Sequence, residues 1–248
     1  MNLNKASGRM YKKVSHTGTF FRGCDHECGG INSEGLPVPY CWAKKIHTVS
    51  HEPHFIGHGS KVLRLRDAYI FLNSAHDSFA KCIPNEWICE MINWIAAQHP
   101  SNKFLIQTKN TPRMLRYALP YGQGGFYMGY LEAIQDQIVL GTTAETNRDY
   151  LYHGNAPGPT QRMHDMLKMR RAGFEIMLSL EPIMDFDLTM FYNHITMVHP
   201  DYIEIGPDNY RCGLQEPSYS KAKHLIEMLR AAGIEIIEKD GLEKLNRK

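Results

Sequence analysis

The 248-residue sequence contains no run of 18 apolar residues, so nothing in it reads as a membrane span. Met1–Lys13 is polar and basic and lacks the apolar stretch of a secretory signal. Low-complexity tracts and fixed-period repeats are also missing, which points away from linkers and solenoids. Excess charge is small: the formal net charge is +2, too little to indicate a nucleic-acid or membrane surface, although 13 histidines add positive charge below neutral pH. The expectation is therefore a cytoplasmic protein with no membrane partner. Cysteine is sparse, six in all, and no paired CxxC elements of the usual zinc type occur. In a reducing compartment such cysteines are thiols or metal ligands more often than disulfides.

What is present is a globular composition, 43% hydrophobic and 22% charged, at a length that suits one α/β barrel domain over residues 1–248. Short apolar runs alternate with longer helical patterns. Strands are expected at Thr17–Phe21, Tyr69–Asn73, Phe104–Thr108, Ile138–Thr143, Glu175–Leu180, Tyr202–Gly206 and Glu235–Glu238. Helices are expected at Glu86–Gln98, Pro112–Leu119, Gln161–Ala172, Leu188–Val198 and Ser218–Ala232, with another beginning near Tyr40. Trp87, Met91, Trp94 and Ile95 recur at helical spacing, as do Ala222, Leu225, Ile226 and Leu229. Gly173 and Gly233 fall where left-handed helix caps are common. Repeated βα units imply a parallel sheet covered by helices. The fold class is α/β: a partial (β/α)6-type barrel with parallel strands and room for one extra strand.

Nearly every strand empties into polar residues, such as Ser74-Ala75-His76-Asp77, Thr108-Lys109-Asn110 and Pro207-Asp208-Asn209. Helix capping is expected to explain about half of them. The remainder mark one end of the sheet as the functional end.

The sharpest local signal is Cys24-Asp-His-Glu-Cys28, followed by twelve residues and then Cys41, in a loop (22–43) after the first expected strand. Three thiolates from one loop suit three irons of a [4Fe–4S] cluster and leave the fourth iron without a protein ligand. A single zinc held by these cysteines and His16, His26 or His47 suits the residues about equally well. Gly29, Gly30, Gly35, Pro37 and Pro39 suit a loop that turns back on itself between Cys28 and Cys41. Cys82 and Cys89 read as small buried hydrophobes, and Cys212 as a loop residue near the functional end.

Cys24-x3-Cys28 with Tyr40-Cys41, after the first strand of a βα series, resembles the radical S-adenosylmethionine superfamily. Relative to that superfamily's usual motif, ten residues stand inserted before Tyr40. Gly23-Cys24, Tyr40-Cys41-Trp42-Ala43, Phe71-Leu72-Asn73-Ser74-Ala75-His76-Asp77, Leu105-Ile106-Gln107-Thr108-Lys109, Leu140-Gly141-Thr142-Thr143-Ala144-Glu145-Thr146-Asn147 and Leu178-Ser179-Leu180-Glu181-Pro182-Ile183 occur in order. This set is similar to the narrower phage-type Gp37/Gp68 family over roughly residues 20–210.

The resemblance implies a cluster on Cys24, Cys28 and Cys41 that reductively cleaves S-adenosylmethionine, so that the resulting radical abstracts hydrogen from a substrate. It also places residues at the strand ends around S-adenosylmethionine. Tyr40 and Trp42 are candidates for the adenine, Ser74 and Asp77 for the ammonium, and Lys109 for the carboxylate. Thr142 and Glu145 are candidates for the ribose, and Glu181 for ribose or substrate. No catalytic acid or base is singled out. A low-potential electron donor of flavodoxin or ferredoxin type is implied, and a phage-infected host cell is the setting if the chain is viral. Arg148, Arg162, Lys168, Arg170, Arg171 and Arg211, with Tyr121, Phe126, Tyr127, Tyr130, Tyr150 and Tyr152, suit a base and a phosphate. The substrate expectation is thus a modified nucleobase such as thymine in phage DNA, with segment 120–160 as a lid. The alternatives are a peptide or small-molecule substrate, and a non-catalytic, zinc-stabilised nucleic-acid-binding barrel.

Overall fold

The computed structural model describes residues 3–8, 10–46, 51–57, 63–120 and 129–247. Its centre is an eight-stranded sheet in sequence order: β1 (Leu3–Lys5), β2 (His16–Gly18), β3 (Tyr69–Leu72), β4 (Lys103–Gln107), β5 (Ile138–Thr143), β6 (Glu175–Leu180), β7 (Tyr202–Ile205) and β8 (Glu235–Glu238). β1 pairs antiparallel with β2; all later pairings are parallel. The crossovers carry α2 (Asn85–Ala96), α3 (Thr111–Ala118), α4 (Pro159–Arg171), α5 (Leu188–Val198) and α6 (Tyr219–Ala231), and α1 (Trp42–Ile46) follows the cysteine loop. The partial barrel expected from the βα alternation is present. No helix among the described residues is long and apolar enough to cross a membrane.

Strand alternation divides the side chains into two sets. Ile70, Leu72, Phe104, Ile106, Leu140, Ile176 and Leu178 face the helices and join Ile88, Met91, Met166 and Phe191 in the main core. Phe71, Leu105, Val139, Met177 and Tyr202 face the opposite way and pack together in the lumen. The curl that makes a lumen is visible at Tyr69 of β3 and Tyr202 of β7, whose hydroxyls lie 2.7 Å apart. Four strand spacings in a flat sheet would separate them by about 19 Å. The segment between β1 and β2 plugs this lumen, with the Tyr11 ring stacked on Phe71 at 5.4 Å.

Two boundaries differ from expectation for a physical reason. The first expected strand, Thr17–Phe21, stops at Gly18 because Asn73, itself at φ 54°, accepts the N–H groups of Phe20 (2.8 Å) and Phe21 (3.2 Å). The chain then leaves the sheet, and Phe21–Arg22 pairs with His54–Phe55 instead. β1 was not expected: it is three residues long with no apolar alternation. Capping is also rarer than expected: among α2 to α6 only α6 has a side-chain N-cap, Ser218 accepting from Lys221 N–H.

The insertion between Cys28 and Cys41 folds as an antiparallel hairpin, Gly29–Ile31 against Pro37–Pro39. Asn32 accepts the N–H groups of Glu34 and Leu36 in its turn, and Gly35 takes φ 79°. Tyr152–His153 adds a third strand beside Gly29 and Gly30. Because the hairpin returns to its start, Tyr40 N–H donates to the Cys28 carbonyl at 3.1 Å. A Cβ on Gly29 would meet two backbone oxygens, His153 and Val38, each at 3.0 Å. Gly29→Val is therefore expected to destabilise the fold by about 1–3 kcal/mol through overpacking, measured as a lower thermal midpoint; an unchanged midpoint would contradict the tight three-strand packing.

Candidate functional site

At the C-terminal end of the parallel strands lies a cavity of about 330 Å³. That is within the range of ordinary ligand sites. Cys24, Cys28 and Cys41 all line it, with His26, Tyr40, Trp42, Ser74, Asp77, Gln107, Lys109 and Glu181. Burial pushes the Cys24 thiol far up, and negative charge at Asp77, Cys28 and Cys41 adds to the rise. Burial likewise raises the Cys28 thiol, against the pull of Lys109. Cys24 and Cys28 therefore sit in a poorly hydrated part of this cavity. Among the described residues no group of three His, Cys, Asp or Glu is arranged to hold a metal ion as it stands. His26 is committed elsewhere: its Nε2 lies 2.8 Å from Asp77 Oδ2. His47 lies outside the described residues.

Two buried carboxylates hold the cysteine loop against the barrel. Asp77 faces His26, and accepts from Thr108 Oγ1 (2.6 Å), Lys109 N–H (2.7 Å) and Phe79 N–H (2.9 Å). Burial opposes ionisation of Asp77, but His26 and these donors hold its pKa below the ordinary value. Glu145 is fully buried and takes Arg162 Nη2 on one oxygen (2.8 Å) and Lys109 Nζ on the other (2.6 Å). The Tyr40 hydroxyl also donates to Glu145, and Lys109 Nζ lies 2.6 Å from that hydroxyl. Burial again opposes ionisation, yet Arg162 and Lys109 bring Glu145 down to about 2. Tyr152 closes the cluster, its ring 4.8 Å from the Arg162 guanidinium.

These contacts redistribute the residues expected around S-adenosylmethionine. Tyr40, Trp42, Ser74, Asp77, Lys109 and Glu181 line the cavity. Thr142 and Glu145 do not: strand alternation turns Thr143 to the cavity, while the Thr142 hydroxyl donates to the Thr108 carbonyl at 2.7 Å. The Lys109 ammonium is committed to Glu145 and Tyr40, and Asp77 carries four internal contacts, so both brace the wall. Ser74 keeps its place at the cavity. Glu181 is paired with Lys239 Nζ at 2.5 Å. Asp208, Asn209 and Tyr210 also line the cavity, and the Tyr210 ring stacks beside Trp42 at 6.5 Å. Their position at a strand end was the signal available for them. The same signal was available for Lys239, directly after β8, whereas Tyr11, also in the lining, had none.

The cations expected to meet phosphate are largely occupied. Arg162 is buried on Glu145, and Arg148 pairs with Asp185 and Asp187. Arg170 pairs with Asp201, and Lys168 with Asp165. Tyr152 packs inside, while Tyr130 and Tyr150 are exposed. Tyr121, Phe126 and Tyr127 lie outside the described residues. Within the segment 120–160, expected as a lid, residues 138–143 form the expected central strand, and Tyr152–His153 buttresses the cysteine hairpin. Cys82 and Cys89, expected to be buried, pack against the main core but are only partly covered, and Cys212 accepts from Lys45 Nζ at 2.9 Å.

A parallel partial barrel with a cysteine loop over its functional end defines the architecture. No family model matches the chain, and no curated protein matches its sequence. Among solved structures, the chain is similar to a spore photoproduct lyase double mutant with bound AdoMet and dinucleoside spore photoproduct. The TM-score is 0.58 at 9% identity, over 92% of this chain and 78% of that one. A single mutant of that lyase with the dinucleoside gives 0.57 at 9% identity, over 93% and 78%. Streptococcus suis SuiB bound to S-adenosylmethionine gives 0.45 at 8% identity, over 72% and 41%. At these identities the likeness to the lyase establishes a shared fold.

Glu145→Gln leaves Arg162 and Lys109 without their buried counter-charge. It is expected to cost about 3–5 kcal/mol in denaturant unfolding. The folded pKa of about 2 lies below the unfolded carboxylate value. This stabilisation is complete above the unfolded value and is lost as pH falls toward 2. The variant should lack that part of the acid dependence; an unchanged acid limb would contradict the pairing.

Proposed function

We propose that the chain is a radical S-adenosylmethionine enzyme in which Cys24, Cys28 and Cys41 hold a [4Fe–4S] cluster. The observation that carries this reading is that three thiols from one loop line a single cavity at the functional end of the barrel. The residues fit the group: sulfur donors suit iron–sulfur ligation, and their burial favours a bound cationic partner over free thiolates. When bound, such a cluster supplies the electron that splits S-adenosylmethionine and yields a 5′-deoxyadenosyl radical. The protein's own part is placement. Trp42 and Tyr210 offer an aromatic wall for the adenine, and Ser74 an acceptor for the ammonium. Asp77 and Glu145 hold the loop on either side of the cysteines, so the cavity wall is set before any ligand enters.

The substrate in this reading is a nucleobase, as in modified DNA. A second aromatic surface in the cavity, Tyr11 stacked on Phe71, supports it. So does the shared fold with a lyase whose structure holds a dinucleoside photoproduct. A low-potential protein of flavodoxin or ferredoxin type would supply the electron. Anaerobic reconstitution with iron and sulfide is expected to give a brown protein that releases 5′-deoxyadenosine when reduced with S-adenosylmethionine. Cys28→Ala should lose bound iron and this product while its far-UV circular dichroism stays that of the barrel. A colourless zinc protein, or full turnover by Cys28→Ala, would refute the assignment.

A further inference from the structure

The buried ion group beside the cysteine loop is not balanced in charge. Two cations, Lys109 and Arg162, meet a single carboxylate, Glu145. The Tyr40 hydroxyl joins them but brings no charge, because burial keeps its proton on well above the ordinary phenol value. Tyr152 adds only a ring face, 5.7 Å from Lys109 Nζ and 4.8 Å from the Arg162 guanidinium. Asp77 accepts the Lys109 backbone N–H, but its carboxylate faces His26 on the Cys24 side. One positive charge is therefore left over. Water screens it little: Arg162 and Glu145 are fully buried and Lys109 is largely so.

The surplus lies against Cys28. Tyr40 N–H donates to the Cys28 carbonyl at 3.1 Å, and the Tyr40 hydroxyl lies 2.6 Å from Lys109 Nζ. The same ammonium sits 4.6 Å from the centre of the Tyr40 ring. Cys28, Tyr40, Cys41 and Tyr152 pack in one group, and Cys28 and Lys109 line one cavity. Burial disfavours the Lys109 ammonium, yet Cys28 and then Glu145 raise its pKa well above the ordinary lysine value. Burial raises the Cys28 thiol, and Lys109 is the strongest charge opposing that rise, with Arg162 acting more weakly the same way. An unbalanced charge in such a place matters most to a redox group. Taking up an electron adds a negative charge, and a poorly screened cation stabilises that state.

We propose that Lys109 sets the reduction potential of the cluster, its ammonium beside Cys28 favouring the state that carries one more electron. Glu145 holds the ammonium in place and offsets one of the two cations, so the surplus is a single charge. One electron enters from the low-potential donor, and no bond in the protein forms or breaks. This role of Lys109 rests on the cluster reading above and is independent of the substrate.

The test is a redox titration of the reconstituted full chain, anaerobic and without S-adenosylmethionine, followed by electron paramagnetic resonance of the reduced cluster. Lys109→Met should lower the midpoint potential. At one fixed donor potential its reduced-to-oxidised ratio should fall about tenfold or more, a shift of about 59 mV for one electron. Lys109→Arg keeps the charge and should restore the wild-type midpoint. Glu145→Gln keeps both cations and removes the carboxylate, so it should move the midpoint the opposite way. A brace that merely keeps water out would move Lys109→Met and Glu145→Gln in the same direction. That result, an unmoved midpoint in Lys109→Met, or a Lys109→Arg midpoint equal to that of Lys109→Met would overturn the proposal. If Lys109→Met takes up no iron, the sign of the Glu145→Gln shift decides. Loss of iron from both variants marks a purely structural role and would overturn it too. A wild-type chain that takes up no iron would sink the cluster reading; a loaded chain whose midpoint ignores both variants would sink the Lys109 role alone.

Discussion

The cysteine loop depends on the buried ion group at Glu145. A carboxylate, a guanidinium and an ammonium are taken out of water together, which is unfavourable unless the charges meet at close range. They come from three separate elements: Glu145 follows β5, Arg162 sits on α4 and Lys109 follows β4. Tyr40 adds a fourth, the end of the cysteine hairpin. Moving any one of these elements would strand a buried charge, so their relative positions are fixed. Asp77 does the same from the other side through His26, which stands between Cys24 and Cys28. The loop is thus pinned near its first two cysteines by one carboxylate and beside its third by another.

The hairpin explains how a long insertion and a compact site coexist. A chain that leaves and returns antiparallel ends beside its starting point, whatever the length of the excursion. The hydrogen bond from Tyr40 to the Cys28 carbonyl shows that return. Tyr152–His153 then adds an edge to the hairpin, so a segment far along the sequence takes part in holding the loop.

The two faces of the sheet carry different tasks. The outer face is aliphatic and aromatic, and burying each such side chain contributes roughly 1.5–3 kcal/mol. The lumen face is apolar at its base and polar nearer the cysteine loop, where Gln107, Ser179 and Glu204 lie beneath the segment that carries Tyr11. Stability resides chiefly in the first face, which leaves the second free to hold polar groups that cost stability.

The sequence by itself determined the repeated βα order, the helix at Leu188–Val198, the last strand at Glu235–Glu238 and the grouping of Cys24, Cys28 and Cys41. These rest on local periodicity and spacing, which neighbours in the chain fix. It also indicated that the insertion turns back, from its glycines and prolines. Only the tertiary structure decided that Thr143 rather than Thr142 faces the cavity. A single strand shows alternation but not which face the barrel encloses. The same holds for Glu145, Lys109 and Arg162: each reads in sequence as a polar residue available to a ligand, and each is taken by the others. Tyr11 and Lys239 meet across nearly the whole chain in a lumen that exists only once the sheet curls. Pairings between such distant positions leave no local pattern, so they belong to the folded molecule alone.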